Sequence, residues 1–243
     1  MTLLSAALSA AAIIGGLLAF KKLIEARSFQ FFGKIVHRVD VPKKIVALTF
    51  DDGPNPPYTN RILEILRDHG AHATFFMLGC RLQQHPSLVR QAVAEGHEIG
   101  NHSFAHSYLL LRPPGAIRKE IERTDEMLEA LGLQRPHLFR PPFGKKLFFL
   151  PYYLKRMGKI TVMCDVDSGG AEFKSRDADL VCDRILKKIR PGSIIMLHDG
   201  GGDKEHIVEA VRLLMQGLAK AGYSAVTVSA LMAEGARGTS DAL

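Results

Sequence analysis

From about residue 45 onward, apolar and polar positions follow a repeating strand-then-helix rhythm. Short apolar, β-branched or aromatic runs fall at 45–50, 73–78, 97–100, 137–140, 160–166, 193–198 and 224–228. Continuous runs of this length suit strands buried on both faces. Between them lie segments of helical period. Asn60 to His69 sets Ile62, Ile65 and Leu66 on one face, and 86–95, 116–131, 177–189 and 204–220 behave likewise. Gly70, Gly96, Gly132 and Gly222 follow four of these segments, where glycine commonly ends a helix. Seven alternations predict a parallel sheet, doubly wound or closed as a barrel. The polar residues of chemical interest follow the ends of several different strands. That distribution fits the mouth of a (β/α) barrel better than a single switch-point crevice.

The first residues break the rhythm. Thr2 to Phe20 carries no charge and no amphipathic period, and the run ends at Lys21-Lys22. About 19 apolar or small residues is just enough to span a bilayer as a helix. The positively charged segment that would open a cleaved signal peptide is missing, which favours a retained single-pass anchor. Lys21, Lys22 and Arg27 follow the span, and the positive-inside rule then points the domain to the cytoplasmic side. The predicted organisation is an anchor at 1–22, a linker at 23–42, a catalytic domain at 43–232 and a flexible tail at 233–243.

Composition narrows the classes. The chain is 47% hydrophobic and 23% charged over 243 residues, enough to bury a full core in one domain. Its charge of +7 is spread over pairs such as Lys145-Lys146, Lys155-Arg156 and Lys187-Lys188, with no basic block. Nucleic-acid binding is therefore not expected, and attraction to an anionic membrane or envelope surface fits better. No protein partner is evident. Cys80, Cys164 and Cys182 are odd in number and irregular in spacing, so they read as buried free thiols.

Four motifs carry chemistry. Ile45 to Phe50 runs into Asp51-Asp52-Gly53-Pro54, so two carboxylates lie where a buried strand opens into a turn. Alone, this is a common aspartate turn. After the run at 97–100 come His102 and His106, four apart and flanked by Asn101, Ser103 and Ser107. One carboxylate and two imidazoles make a three-ligand site with an open position, the pattern of a catalytic metal, and the second carboxylate is free to take a proton. In Phe139-Arg140-Pro141-Pro142-Phe143-Gly144, the prolines fix the backbone and Arg140 offers a charged fork to a carboxylate. His198 ends the apolar run of Ser193 to Leu197, a position suited to a general acid at a barrel mouth.

TFDDGP, HSFAH, RPPFG and LHD, in this order over about residues 43 to 230, resemble the polysaccharide deacetylase family. The family is also called the NodB-homology domain or carbohydrate esterase family four. The resemblance implies a distorted (β/α) barrel of about seven strands and a divalent ion, zinc before cobalt, nickel or manganese. It implies that Asp52, His102 and His106 hold the ion, that Asp51 is the general base and that Arg140 orients it. It further implies that the backbone N–H of Phe143 holds the oxyanion and that His198 protonates the departing amine. The implied activity is hydrolysis of an N-acyl group on an amino sugar of an envelope glycan, on the extracytoplasmic side. A lipid-linked sugar, losing acetyl or formyl, is the alternative substrate, and a non-catalytic carbohydrate-binding relative is the alternative class.

One motif departs from the family. Asp-x-x-Asp-Trp reads Asp167-Ser168-Gly169-Gly170-Ala171 here, and the chain has no Trp. Asp167 is expected in the acid network, while Gly170 and Ala171 replace the second Asp and the Trp. Asp165 or Glu172, the nearby carboxylates, would supply the missing charge. Lys145 to Leu154 reads as a barrel helix with lysines at its start, or as a basic and aromatic lip facing a membrane.

Overall fold

The computed structural model describes residues 3–240, with side chains from 8 to 237. Nine strands form one sheet: β1 (Ile35–Val36), β2 (Ile45–Asp51), β3 (Thr74–Met77), β4 (Glu98–Asn101), β5 (Leu138–Phe139), β6 (Ile160–Val162), β7 (Val166–Asp167), β8 (Ile194–His198) and β9 (Ser224–Val226). Their order is β1-β6-β5-β4-β3-β2-β8-β7, with β9 against β2, and every pairing is parallel.

The run predicted as a single strand at 160–166 is two. β6 pairs with β5 on one flank and β7 with β8 on the other, so Met163–Asp165 crosses between the two ends of the sheet. There the chain itself, not a hydrogen-bonded ladder, closes the curve. Asp165 stitches the crossing to β8 by accepting from the Ile194 N–H at 2.9 Å and the Ser193 hydroxyl at 3.0 Å.

Among the described residues there are ten α-helices: α1 (Leu3–Ile24), α2 (Tyr58–Asp68), α3 (Gly79–Gln84), α4 (Pro86–Ala94), α5 (Pro114–Ala130), α6 (Phe149–Arg156), α7 (Ala171–Lys174), α8 (Ala178–Leu186), α9 (Glu205–Lys220) and α10 (Val228–Ser240). The four predicted stop glycines all have positive φ, from 58° to 83°. Asp177 caps α8 by accepting from the Leu180 N–H at 3.0 Å. The main core lies between the sheet and α2, α8 and α9, with Phe50 stacked on Phe75 at 5.0 Å. Of Lys145–Leu154, only the part from Phe149 onward is helical.

Both ends differ from expectation. The predicted linker supplies β1, and Ile24, Val36 and Val41 are buried. The predicted flexible tail is mostly the end of α10, where Glu234 pairs with Lys43 and Gly235 packs against Val39. Residues 241–243 lie outside the described residues. The expected anchor falls partly on residues 1–7, whose side chains are not described. Among the described residues, no helix is long and apolar enough to cross a membrane. α1 continues through Lys21 and Lys22, and its last turn enters the folded domain at Ile24, so the membrane anchor is not supported.

Candidate active site

The site forms where the C-terminal ends of the strands converge. Asp51 is the last residue of β2 and lies in register beside His198, the last residue of β8. Asp52 leaves the strand in left-handed backbone, φ 73°, which turns two adjacent carboxylates into one cleft instead of onto opposite faces. The approach needs glycine on both strands. A Cβ on Gly53 would collide with the Asp199 carboxylate, and one on Gly200 with the Asp52 carbonyl. Asp199 itself is buried and accepts from the Thr59 hydroxyl, and burial pushes its carboxyl up to about 7.

Asp52 Oδ1 lies 3.4 Å from His102 Nε2 and 3.3 Å from His106 Nε2, and a ligand atom from each residue falls within 4.8 Å of the others. His102 Nδ1 lies 2.8 Å from the Arg140 carbonyl, which can accept its proton and so leave the Nε2 lone pair facing Asp52. His106 is held below its ordinary pKa by burial, which favours the neutral, ligating imidazole. Burial would raise the Asp52 carboxyl, but the His102 contact and the two imidazole charges outweigh it and hold it far below the carboxylate range. Asp52 Oδ1 is buried with no hydrogen-bond partner in the protein. A buried carboxylate oxygen without a hydrogen-bond partner, flanked by the Nε2 atoms of two imidazoles, fits a divalent cation.

Asp51 is fixed from the opposite side. Its Oδ1 accepts from Arg140 Nη1 at 2.6 Å, and Arg140 Nη1 also donates to the Thr49 hydroxyl at 2.7 Å. The guanidinium lies over the Phe76 ring at 4.1 Å, and Arg140 and Asp51 are both buried. Asp51 Oδ2, 3.9 Å from His102 Nε2, faces the triad.

The acid side holds the largest departure from expectation. His198 Nδ1 lies 2.8 Å from Glu172 Oε1, and Glu172 is only 3% exposed. Burial opposes a charge on His198, but this hydrogen bond and the Glu172 charge, with smaller help from Asp51 and Asp52, hold its pKa above the ordinary value. Phe173 stands edge-on to the His198 ring at 4.9 Å. The acid-aromatic order of the family's Asp-Trp pair therefore recurs as Glu172-Phe173, two positions later. Gly169 and Gly170, at φ 62° and 81°, absorb the extra residues. Of the two carboxylates the sequence offered, Glu172 and not Asp165 meets His198, and the aromatic residue that follows it is the signal that distinguishes them.

Asp167 is not in that network. It pairs with Arg27 Nη2 at 2.6 Å and accepts from the Gly169 N–H at 2.7 Å. Phe143 has left-handed backbone, φ 58°, in the turn Pro142–Gly144, and its ring meets His106 at 4.4 Å. The Gly144 N–H is engaged by the Pro141 carbonyl at 3.0 Å, so the oxyanion role expected of this loop rests on Phe143. Left-handed backbone at Asp52, Ser103, His106 and Phe143, all non-glycine, concentrates strain around the cleft.

These groups line a cleft of about 630 Å³, walled by Phe143, Phe173 and Met196 and, on one side, by Glu25 and Arg27. A family model described as polysaccharide deacetylase matches residues 38–161. A peptidoglycan-N-acetylglucosamine deacetylase of Bacillus cereus is 36% identical over 82% of this chain and 93% of its own length. A chitooligosaccharide deacetylase of Azorhizobium caulinodans is 35% identical over 67% of this chain and 77% of its own. The crystal structure of the Bc1960 peptidoglycan N-acetylglucosamine deacetylase, in complex with 4-naphthalen-1-yl-N-oxidanyl-benzamide, superposes with a TM-score of 0.76 at 32% identity. It covers 80% of this chain and 91% of that one.

Proposed function

Because the chain belongs to the polysaccharide deacetylase family, we propose that its cleft hydrolyses the N-acetyl group of amino sugars in a cell-envelope glycan, outside the cytoplasm. The observation that carries this reading is the orphaned Asp52 Oδ1 between His102 and His106, with Asp51 and His198 beside it.

Asp52, His102 and His106 would hold a divalent cation, zinc by the nature of two imidazoles and a carboxylate. When bound, such an ion polarises the amide carbonyl and acidifies a water. Asp51 accepts the proton of the attacking water, and Arg140 keeps its carboxylate aimed and ionised. The Phe143 N–H faces the developing oxyanion, a contribution of roughly 3–4 kcal/mol for a preorganised donor. His198, charged through Glu172, gives its proton to the nitrogen as the C–N bond breaks. Water and amide become acetate and a free amino sugar, and the proton held on Asp51 restores His198 through solvent.

The altered fourth motif is the one feature that favours a binding-only relative. Glu172 supplies the missing carboxylate at hydrogen-bond distance, which supports turnover instead. Zinc-loaded protein should release acetate from N-acetylglucosamine oligomers, and Asp51→Asn should not. No release from chitooligosaccharides or peptidoglycan fragments by zinc-replete protein overturns the reading.

A further inference from the structure

The cleft is completed by residues that precede the family match. That match begins at 38, yet Glu25 and Arg27 line the same cavity as the triad. They lie on a short strap between α1 and β1, and two of the chemically important loops grip it. Lys146, which follows the loop of Arg140 and Phe143, is 1% exposed. Its backbone N–H donates to the Ile24 carbonyl at 3.2 Å, and its ammonium donates to the Ala26 carbonyl. Burial pushes that ammonium down to about 8. A desolvated lysine directed at one backbone carbonyl is a costly clamp, and it fixes where the strap lies. On the other side, Arg27 donates to the Asp167 carboxylate at 2.6 Å and the Cys164 carbonyl at 3.3 Å. Asp167, the first residue of the altered motif, thus holds the strap and not the acid.

The strap leaves polar groups facing the cleft. The guanidinium of Arg27 has five N–H donors, and these two contacts use only part of them. Glu25 meets Lys145 at 3.8 Å, beyond hydrogen-bond range, so its oxygens retain accepting capacity. Glu25 and Arg27, the two strap residues that line the cleft, carry opposite formal charges, so the strap's wall has no net charge. A neutral wall of donors and acceptors matches sugar hydroxyls and acetamido groups better than a carboxylate substituent.

We infer that Glu25 and Arg27 form a subsite for a neutral N-acetylated sugar next to the one being deacetylated, so that the enzyme favours oligosaccharides over short substrates. The inference rests on the deacetylase reading of the cleft. Glu25→Ala is the informative variant, because the side chain is partly exposed and removes no fold contact within hydrogen-bond range. Zinc-loaded full-length protein is assayed for acetate release from N-acetylchitotetraose and N,N′-diacetylchitobiose, and calorimetry measures binding of the tetrasaccharide. Losing one or two hydrogen bonds predicts a KM for the tetrasaccharide raised about tenfold, with kcat nearly unchanged and a smaller effect on the disaccharide. Lys146→Met, which releases the strap without removing a cleft-facing group, should shift KM in the same direction. Unchanged KM for the tetrasaccharide in both variants overturns the subsite, and so does an equal fall in kcat on both substrates. Should wild-type protein release no acetate, the function fails separately. Calorimetry then decides the subsite: about tenfold weaker tetrasaccharide binding by Glu25→Ala supports it, and equal binding overturns it.

Discussion

Glu172 Oε1 sits 2.8 Å from His198 Nδ1, on a four-residue helix that starts after two glycines in left-handed backbone. The carboxylate fixes the imidazole's orientation and favours its protonated form, the form that can release an amine. His206 steadies the same helix through its Nε2, 2.8 Å from the Glu172 carbonyl. The link is geometric as well as electrostatic, so replacements of Glu172 separate the two effects.

Glu172→Gln should lower the His198 pKa and move the alkaline limb of kcat to lower pH. The sign follows from the raised pKa: the imidazolium is present below it and lost as pH rises through it. A charge-assisted hydrogen bond of about 1.5–3 kcal/mol corresponds to a shift of roughly one to two pH units. A pH–rate profile that does not move would remove Glu172 from the acid network. Glu172→Asp should recover part of the shift.

Asp51→Asn should lower kcat by about 10²–10⁴-fold, the range for a lost general base. Bound zinc, measured by elemental analysis, should remain at the wild-type ratio, because Asp51 is not one of the three ligands. Loss of zinc in this variant would mean that Asp51 ligates.

Chelation should abolish acetate release and lower the melting temperature, and zinc should restore both. Zinc at 100 times its Kd stabilises the fold by about 2.7 kcal/mol, provided the unfolded chain binds none. His106→Ala should weaken zinc retention. Since burial keeps His106 below its ordinary pKa, protons should compete with zinc at this one ligand only at a lower pH than at an unperturbed imidazole.

Lys159→Met tests the support behind His102. Lys159 Nζ lies 2.8 Å from Asp125 Oδ2, and Asn101 donates to Asp125 Oδ1 at 2.8 Å, all three being buried. Removing one partner leaves Asp125 uncompensated and should cost about 3–5 kcal/mol in denaturant unfolding. The double replacement Lys159→Met, Asp125→Leu should recover much of that loss.

The candidate cation triad was legible in the chain because its members lie in short local motifs. Asp51-Asp52 follows one apolar run, and His102 and His106 share a single turn after another, so sequence order alone brings each set to a strand end. Periodicity and glycine stops likewise gave the main strands, most of the long helices and the parallel barrel, because local backbone preference and burial act over a few residues. What lay beyond reach depended on contacts across the fold. Arg27 meets Asp167 across 140 positions, and Lys146 meets Ala26 across 120. No local pattern records such pairs, so the strap read as a linker. The choice between Glu172 and Asp165 lay beyond reach for another reason: two glycines let a longer loop deliver Glu172 to His198 from a different register, while Asp165 is taken by Ser193 and Ile194. The residues and their order determined the fold class and pointed to the candidate cation triad. Only the curved sheet, bringing distant loops to one rim, decided which carboxylate meets His198 and which segment walls the cleft.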